Sequence, residues 1–251
     1  MQYIYGIHAV DGLLRNNPRA VQQLWVQQGR EDKRIVGLLE LATNQGVPVS
    51  REPRKALDAR VQGRHQGVVA ETLDKHGTGD EGQGNTISEA ELLRLIDTQD
   101  KPCLLLVLDG VTDPHNLGAC LRSADAAGVD AVIVPKDKSA DLNPTTRKVA
   151  CGAAESIPFA RVTNLARTLA ALKERGVWLF GTAGEAEKSI YESDLTGPMA
   201  LVMGAEGAGL RRLTRQECDF LVNLPMAGDV SSLNVSVATG VCLFEAVRQR
   251  R

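Results

Sequence analysis

The chain reads as an α/β protein. A small N-terminal α/β domain precedes a larger one built on a mostly parallel sheet with helices on both faces. Three observations predict this. Beyond residue 100, apolar runs of strand length recur with helix-patterned segments between them, the signature of a parallel sheet covered on both sides. Before residue 73 the same alternation occurs on a smaller scale. Between the two lies Asp74-Lys-His-Gly-Thr-Gly-Asp-Glu-Gly-Gln-Gly-Asn85, which has no large apolar side chain to pack and reads as a flexible linker. The expected boundaries are 1–72, a linker over 73–87, and 88–251.

In the N-terminal part, residues 8–16 are helical in pattern and 21–26 form a strand. Ile35, Leu38, Leu39 and Ala42 recur at i, i+3, i+4 and i+7 behind Glu31 and Asp32, as a helix requires. Residues 48–50 are extended, 54–61 helical, and 67–70 a strand. After the linker an acidic helix starts near Ser88. Strands follow at 103–108, 131–134, 157–159, 177–180, 200–203 and 220–224. A helix from about Thr163 carries Leu165, Leu169 and Leu172 on one face and ends with Lys173, Arg175 and Gly176. The last helix, from about Asn234, puts Val237, Val241 and Phe244 on one stripe.

Composition excludes several classes. The 251 residues are 43% hydrophobic and 24% charged, ordinary for a globular protein and far from collagen-like or disordered chains. No stretch approaches the roughly 20 apolar residues of a membrane span, and the N-terminus lacks the pattern of a signal peptide. The expectation is a cytoplasmic protein without a membrane partner. Cys103, Cys120, Cys151, Cys218 and Cys242 are odd in number and widely spaced, which argues against a disulfide framework or a structural metal site. Most sit among apolar residues and read as small buried hydrophobes. Net charge is -2 overall, split as +3 over 1–75, -5 over 76–100 and zero beyond. No domain-wide basic field exists, but local clusters do: Arg51, Arg54 and Lys55; Arg60 and Arg64; Arg147 and Lys148; Arg211, Arg212 and Arg215. Charge permits an RNA partner without demanding one.

In parallel sheets ligands bind beyond the carboxyl ends of the strands, so the polar residues there matter most. One set is Asp109-Gly-Val-Thr-Asp-Pro-His-Asn116, opening a helix with Asn116 as its expected N-cap and Arg122 off its apolar stripe. A second is Met203-Gly-Ala-Glu-Gly-Ala-Gly209, where glycines bracket Glu206 as if the backbone approaches a ligand. A third is Pro225-Met-Ala-Gly-Asp-Val-Ser-Ser-Leu-Asn-Val-Ser236, with Ser231, Ser232, Asn234 and Ser236 crowding a helix start beyond what one cap needs. Gly77-Thr-Gly-Asp-Glu-Gly82 formally matches a dinucleotide loop, but no strand precedes it and no helix follows, so it is a chance match. No hydrolase, zinc-protease or phosphate-loop signature is present.

Taken in order, Asn116-x-Gly118-x-x-x-Arg122, Met203-Gly-Ala-Glu-Gly207, and Leu224-Pro-Met226 with Ser232-Leu-Asn-Val-Ser236 resemble the three motifs of the SpoU family of RNA 2'-O-ribose methyltransferases. Tyr5-Gly-Ile-His-Ala-Val10 and His65-Gln-Gly-Val-Val-Ala70 resemble the start and end of the substrate-binding domain of the family's 23S rRNA guanosine branch. The resemblance implies a catalytic domain with a trefoil knot, an exception to unthreaded topology. It implies S-adenosylmethionine held near Gly204, Leu224, Met226 and Leu233, and no metal. It also implies a homodimer, an L30e-like N-terminal domain that binds 23S rRNA, and a P-loop guanosine as substrate. The residues carried over as catalytic are Asn116, Arg122, Glu206, Ser232, Asn234 and Ser236. Two other readings stay open: the same methylation on tRNA or another rRNA site, and a non-catalytic RNA-binding ribosome-assembly factor.

Overall fold

The computed structural model describes residues 2–16, 18–61, 65–72 and 85–251. Most of the expected linker, with its Gly77–Gly82 match and His76, lies outside the described residues, as does Arg64. The chain divides into two compact units, Met1–Gln83 with Cys151–Ser156, and Gly84–Ala150 with Ile157–Arg251.

The first unit begins with β1 (Gln2–Tyr5), α1 (Ile7–Asn16), a 3-10 turn at Pro18–Ala20, β2 (Val21–Gln27) and α2 (Lys33–Asn44). It continues with β3 (Val49–Glu52), α3 (Arg54–Arg60) and β4 (Val68–Thr72). The sheet order is β1-β4-β2-β3, with β4 antiparallel to both β1 and β2, and β3 parallel to β2. Alternation along the strands sorts the core onto two faces. Leu24, Val26, Val68 and Ala70 pack with Val10, Leu14, Ile35 and Leu38 from α1 and α2, while Val69 packs with Leu57 of α3 beside Tyr3, Tyr5 and Trp25. Asp32 starts α2 by accepting the Ile35 N–H. β1 was not expected from the sequence, because four residues at a terminus carry too short an alternation to stand out.

The second unit runs β5 (Thr86–Ile87), α4 (Glu89–Asp97), β6 (Leu104–Asp109), α5 (Pro114–Ala127), β7 (Ala131–Pro135) and α6 (Pro144–Ala150). The short α7 (Ala153–Ser156) falls in the first unit. Then come β8 (Phe159–Val162), α8 (Leu165–Lys173), β9 (Trp178–Thr182), β10 (Lys188–Ser189), β11 (Met199–Gly204), α9 (Arg212–Glu217), β12 (Phe220–Asn223) and α10 (Val235–Gln249). Eight strands pair in parallel in the order β10-β12-β9-β11-β6-β7-β8-β5. On one face Leu105, Val107, Ile133, Val162 and Val202 meet Leu92 of α4 and Leu165, Leu169 and Leu172 of α8. The other side carries α5 and α10, packed on each other, with Cys120 donating to Thr239 Oγ1 across the contact at 3.6 Å.

Two expectations need correction. Thr86–Ile87 belong to the sheet as an edge strand rather than to a linker. The Val237, Val241, Phe244 stripe of α10 faces outward: Val237 is 52% and Phe244 48% exposed, and the helix instead buries Val235, Thr239, Cys242, Leu243 and Ala246. Periodicity locates an apolar stripe but cannot tell which of two stripes faces the core when the helix is apolar on both sides.

β6 lies between β11 and β7, so the chain leaves β6 toward β7 and returns on the other side. Gly204 at the end of β11 is in register with Asp109 at the end of β6. This is the topological switch point, where an open α/β sheet leaves a crevice.

Candidate active site at the carboxyl edge of the second sheet

The segment after β6 enters α5 with Pro114 in its first turn and Asp113 as N-cap, its carboxylate accepting the His115 N–H at 3.0 Å. Asn116 is therefore not the cap expected from the sequence. It lies within the first turn, and its amide is released for contacts between segments. Gly118 has a packing role: a Cβ there would stand 2.7 Å from the Thr146 carbonyl oxygen, so α5 and α6 meet backbone to backbone.

After β11 the chain makes a tight hairpin. Ala205 N donates to Gly209 O at 3.1 Å, and Gly209 N returns to Ala205 O at 2.9 Å. Gly207 and Gly209 have φ of +76° and +66°, the left-handed region. A Cβ on Gly204 would stand 2.2 Å from the Gly209 carbonyl carbon, so only glycine permits the crossing. The hairpin presents Glu206, whose Oε1 accepts from Asn234 Nδ2 at 2.7 Å, Asn116 Nδ2 at 3.2 Å and Val235 N at 3.4 Å. The carboxylate thereby sits at the N-terminus of α10, where the helix dipole favours negative charge.

Asn234 is the cap of α10. Its Oδ1 accepts from Ser236 N at 2.9 Å and Ser236 Oγ at 2.6 Å, and its Nδ2 donates also to Asn116 Oδ1 at 2.9 Å. Four of the six expected residues, drawn from three segments between Asn116 and Ser236, thus form one hydrogen-bonded network. Ser232 stands in the segment before α10 and lines the adjoining cavity. Arg122 is exposed on α5, six positions after Asn116, and the bonds joining the other four do not run through it.

The cavity has a volume of about 620 Å³ and is lined by Gly204, Leu224, Met226 and Leu233, the four residues expected around a cofactor, together with Glu206 and Asn234. It also takes in Thr182, which ends β9, and Ala183, Gly184 and Glu185 after it, none of them expected from the sequence. The signal was available: Gly181-Thr-Ala-Gly184 is a further run of small residues at a strand end. Arg215 of α9 pairs with Glu185 at this wall. Another missed pair is Asp109, fully buried, with Arg211. The carboxylate accepts the Arg211 backbone N–H at 2.9 Å and also binds its guanidinium.

The thiols do not act here. Burial pushes Cys120 up to about 11 and Cys242 to about 12, so both stay protonated near neutrality. A second depression, of about 670 Å³, lies in the first unit and is lined by Val36, Leu39, Glu40 and Asn44 beside the Arg51–Glu31 pair at 3.8 Å. Among the described residues no group of three or more metal-ligating side chains converges, and no helix is long and apolar enough to cross a membrane.

Comparison with known proteins places this geometry. The SpoU rRNA Methylase family model matches residues 103–244, and the model for RNA 2'-O ribose methyltransferase substrate binding matches 3–75. A Pseudomonas putida protein named 23S rRNA (guanosine-2'-O-)-methyltransferase RlmB is 61% identical over 251 residues, covering 100% of this chain and 98% of that one. Its Escherichia coli K12 counterpart is 58% identical over 250 residues, covering 99% of each. Among solved structures, the SpoU methyltransferase AviRb from Streptomyces viridochromogenes, in complex with AdoMet, superposes with a TM-score of 0.75 at 27% identity, over 99% of this chain and 90% of that one. With motifs, fold and overall similarity in agreement, the chain belongs to the SpoU rRNA methylase family.

Proposed function

We infer that this chain transfers a methyl group from S-adenosylmethionine to the ribose 2'-hydroxyl of a guanosine in 23S rRNA, and that the guanosine lies in the P loop. The observation that carries the reading is the Asn116–Glu206–Asn234 network at the mouth of the cavity. Full-length similarity to RlmB proteins supports the substrate.

The residues present fit the cofactor. The cavity is within the roughly 300–1,000 Å³ of small-molecule sites. Gly204 lines the cavity where the hairpin backbone crosses it, and Leu224, Met226 and Leu233 offer apolar surface beside it. When bound, the sulfonium supplies a methyl group that is already activated. What remains for the chain is to align the 2'-oxygen, disperse its developing charge and exclude water.

Asn116 and Asn234 orient the ribose and its hydroxyl. Glu206 is a positioning residue, since its carboxylate fixes both amides at once. Ser232 and Ser236 supply hydroxyls along the same rim, Ser236 by bracing Asn234. Arg122 binds the adjacent phosphate and stabilises negative charge on the 2'-oxygen. It is not a proton acceptor, because a guanidinium presents five N–H donors and no acceptor. The first unit binds the rRNA with an L30e-like fold, and the motif segments of the second are threaded as a trefoil knot. The outward stripe of α10 meets a second copy in a homodimer, and the enzyme works in the cytoplasm without a metal.

The test is incubation with unmodified 23S rRNA and radiolabelled S-adenosylmethionine, followed by mapping of alkali-resistant ribose sites. One label at a P-loop guanosine, lost in Arg122→Ala, is the expected result. Label elsewhere overturns the substrate and leaves the chemistry. Failure to bind the cofactor overturns the enzyme. If Arg122→Lys keeps most of the turnover, the bidentate role of the guanidinium is wrong.

A further inference from the structure

The network and the cavity occupy the carboxyl edge at β6, β11 and β12. The other half of that edge, beyond β7 and β8, has no part in the reaction described above, yet it is where the second unit concentrates positive charge. Lys136, Asp137 and Lys138 follow directly on β7 and are all exposed. Arg147 and Lys148 close α6, and Arg161 lies on β8. These five cations stand against two acids, Asp137 and Asp141, in a unit whose remaining residues carry 13 Lys and Arg against 18 Asp and Glu.

The loop that bears the two lysines is built, not loose. Ala140 N donates to Val111 O at 2.8 Å, tying it to the segment between β6 and α5. Arg161 donates to Asp141 Oδ2 at 2.8 Å and to the Lys136 carbonyl at 3.3 Å, and Arg147 Nε donates to Leu142 O at 3.0 Å. The loop also borders the site. A Cβ at Gly110 would stand 3.6 Å from Ala205 Cβ, in the hairpin that carries Glu206, and 3.9 Å from the Lys138 carbonyl oxygen. Lys138 itself has a φ of +55°. A lysine in the left-handed region pays for its place with backbone strain that glycine would avoid, which points to a use for the ammonium group.

Resting on the reading of this chain as an RNA methyltransferase, we propose that Lys136 and Lys138 bind backbone phosphates of the RNA strand flanking the methylated nucleotide. Arg161 and Arg147 hold their loop against the site. Such contacts are sequence-independent. They set the register of the strand while the network acts on one ribose, and they make affinity depend on salt. Lysine, a compact charge on a flexible stem, suits phosphates that shift as the nucleotide seats.

The experiment uses the full chain and in vitro transcribed, unmodified 23S rRNA, with filter binding from 50 to 200 mM salt. For Lys136→Ala/Lys138→Ala we expect roughly tenfold weaker RNA binding at low salt. The slope of log K against log salt should fall in magnitude by about 1.4–1.8, as for two lost phosphate contacts. Cofactor affinity should be unchanged, which reports an intact second unit. Lys136→Arg/Lys138→Arg should restore binding. Lys138→Gly separates charge from structure: it relieves the backbone and should raise Tm while weakening RNA binding. A double variant with wild-type affinity and salt slope, when the wild type both binds and methylates the RNA, overturns the surface alone. A wild type that binds cofactor but not RNA overturns the function reading and the surface with it.

Discussion

Asp109 and Arg211, 102 positions apart, form a clamp at the switch point: a fully buried carboxylate receives both the backbone N–H and the guanidinium of an arginine whose side chain is 44% exposed. Asp109 ends β6, and Arg211 closes the segment that begins with the Glu206 hairpin. The pair therefore fixes the base of the hairpin while Asn116 and Asn234 fix its tip. Such an arrangement explains how three glycines can be tolerated in a loop that must hold Glu206 still.

Removing the arginine side chain leaves a buried carboxylate with the backbone N–H alone. Losing a partner of a buried charge costs about 3–5 kcal/mol, and the exposure of the guanidinium reduces this to roughly 1–3 kcal/mol. Arg211→Ala should lower Tm by about 2–4 °C for each kcal/mol and weaken cofactor binding. Arg211→Lys should recover part of the stability. Calorimetry and cofactor titration of both variants check this, and an Arg211→Ala protein as stable as the wild type would show the clamp to be inert.

Gly204→Ala should be far more damaging than alanine at Gly207, although both sit in the same hairpin. At Gly204 the new Cβ meets the Gly209 carbonyl carbon at 2.2 Å and the Leu210 nitrogen at 2.4 Å, both backbone atoms that cannot give way locally. At Gly207 nothing lies within 4 Å, and the cost is only the strain of a φ of +76°, of order 1 kcal/mol. Calorimetric cofactor titration should show at least a tenfold loss for Gly204→Ala and a smaller one for Gly207→Ala. Equal losses would mean that close approach is not what the glycine serves.

The order of strands and helices in the second unit was legible because its strands are nearly continuous apolar runs, buried on both faces. The gathering of polar side chains at the strand ends was legible because Glu206 exceeds what a turn requires, and Ser231, Ser232, Asn234 and Ser236 together exceed what one cap requires. What escaped depends on partners distant in sequence. Asp113, three positions before Asn116, takes the cap because Pro114 occupies the first helical position. Arg211 looked like one of a surface cluster because nothing local shows that it pairs with Asp109. β10, two residues long, exists only through its pairing with β12.

Glu245 on α10 makes stability depend on acid. Arg248 donates to it at 2.8 Å with both Nε and Nη2, and Gln249 Nε2 donates at 2.7 Å. These bonds pull its carboxyl down to about 2 from an ordinary 4.5. The folded value lies below the unfolded one, so the stabilisation is full above about pH 4.5 and is lost as pH falls toward 2. Arg248 is 69% exposed, so salt should weaken the effect. Glu245→Gln should flatten the acid limb of Tm between pH 4.5 and 2 and leave its slope above pH 6 unchanged. An acid limb as steep as the wild type would assign the acid sensitivity to other carboxylates.

The outward stripe of α10 gives the sharpest test of assembly. Val237 and Phe244 are about half exposed on a helix that buries Val235, Thr239, Cys242, Leu243 and Ala246 on its other side. An isolated exposed apolar residue means little, but two on one helix face, seven positions apart, make a patch that a partner can cover. A charge at Phe244, 48% exposed, keeps access to water in one copy and disturbs that fold little, whereas in a dimer it would be buried unpaired at a cost of several kcal/mol. Phe244→Glu should therefore convert a dimer to a monomer in light scattering at micromolar concentration, with circular dichroism unchanged. If each site is completed by the partner copy, methyl transfer should fall with the same concentration dependence as dissociation. A wild type that is monomeric at all concentrations, or a Phe244→Glu variant that still dimerises, would sink the assignment of this face.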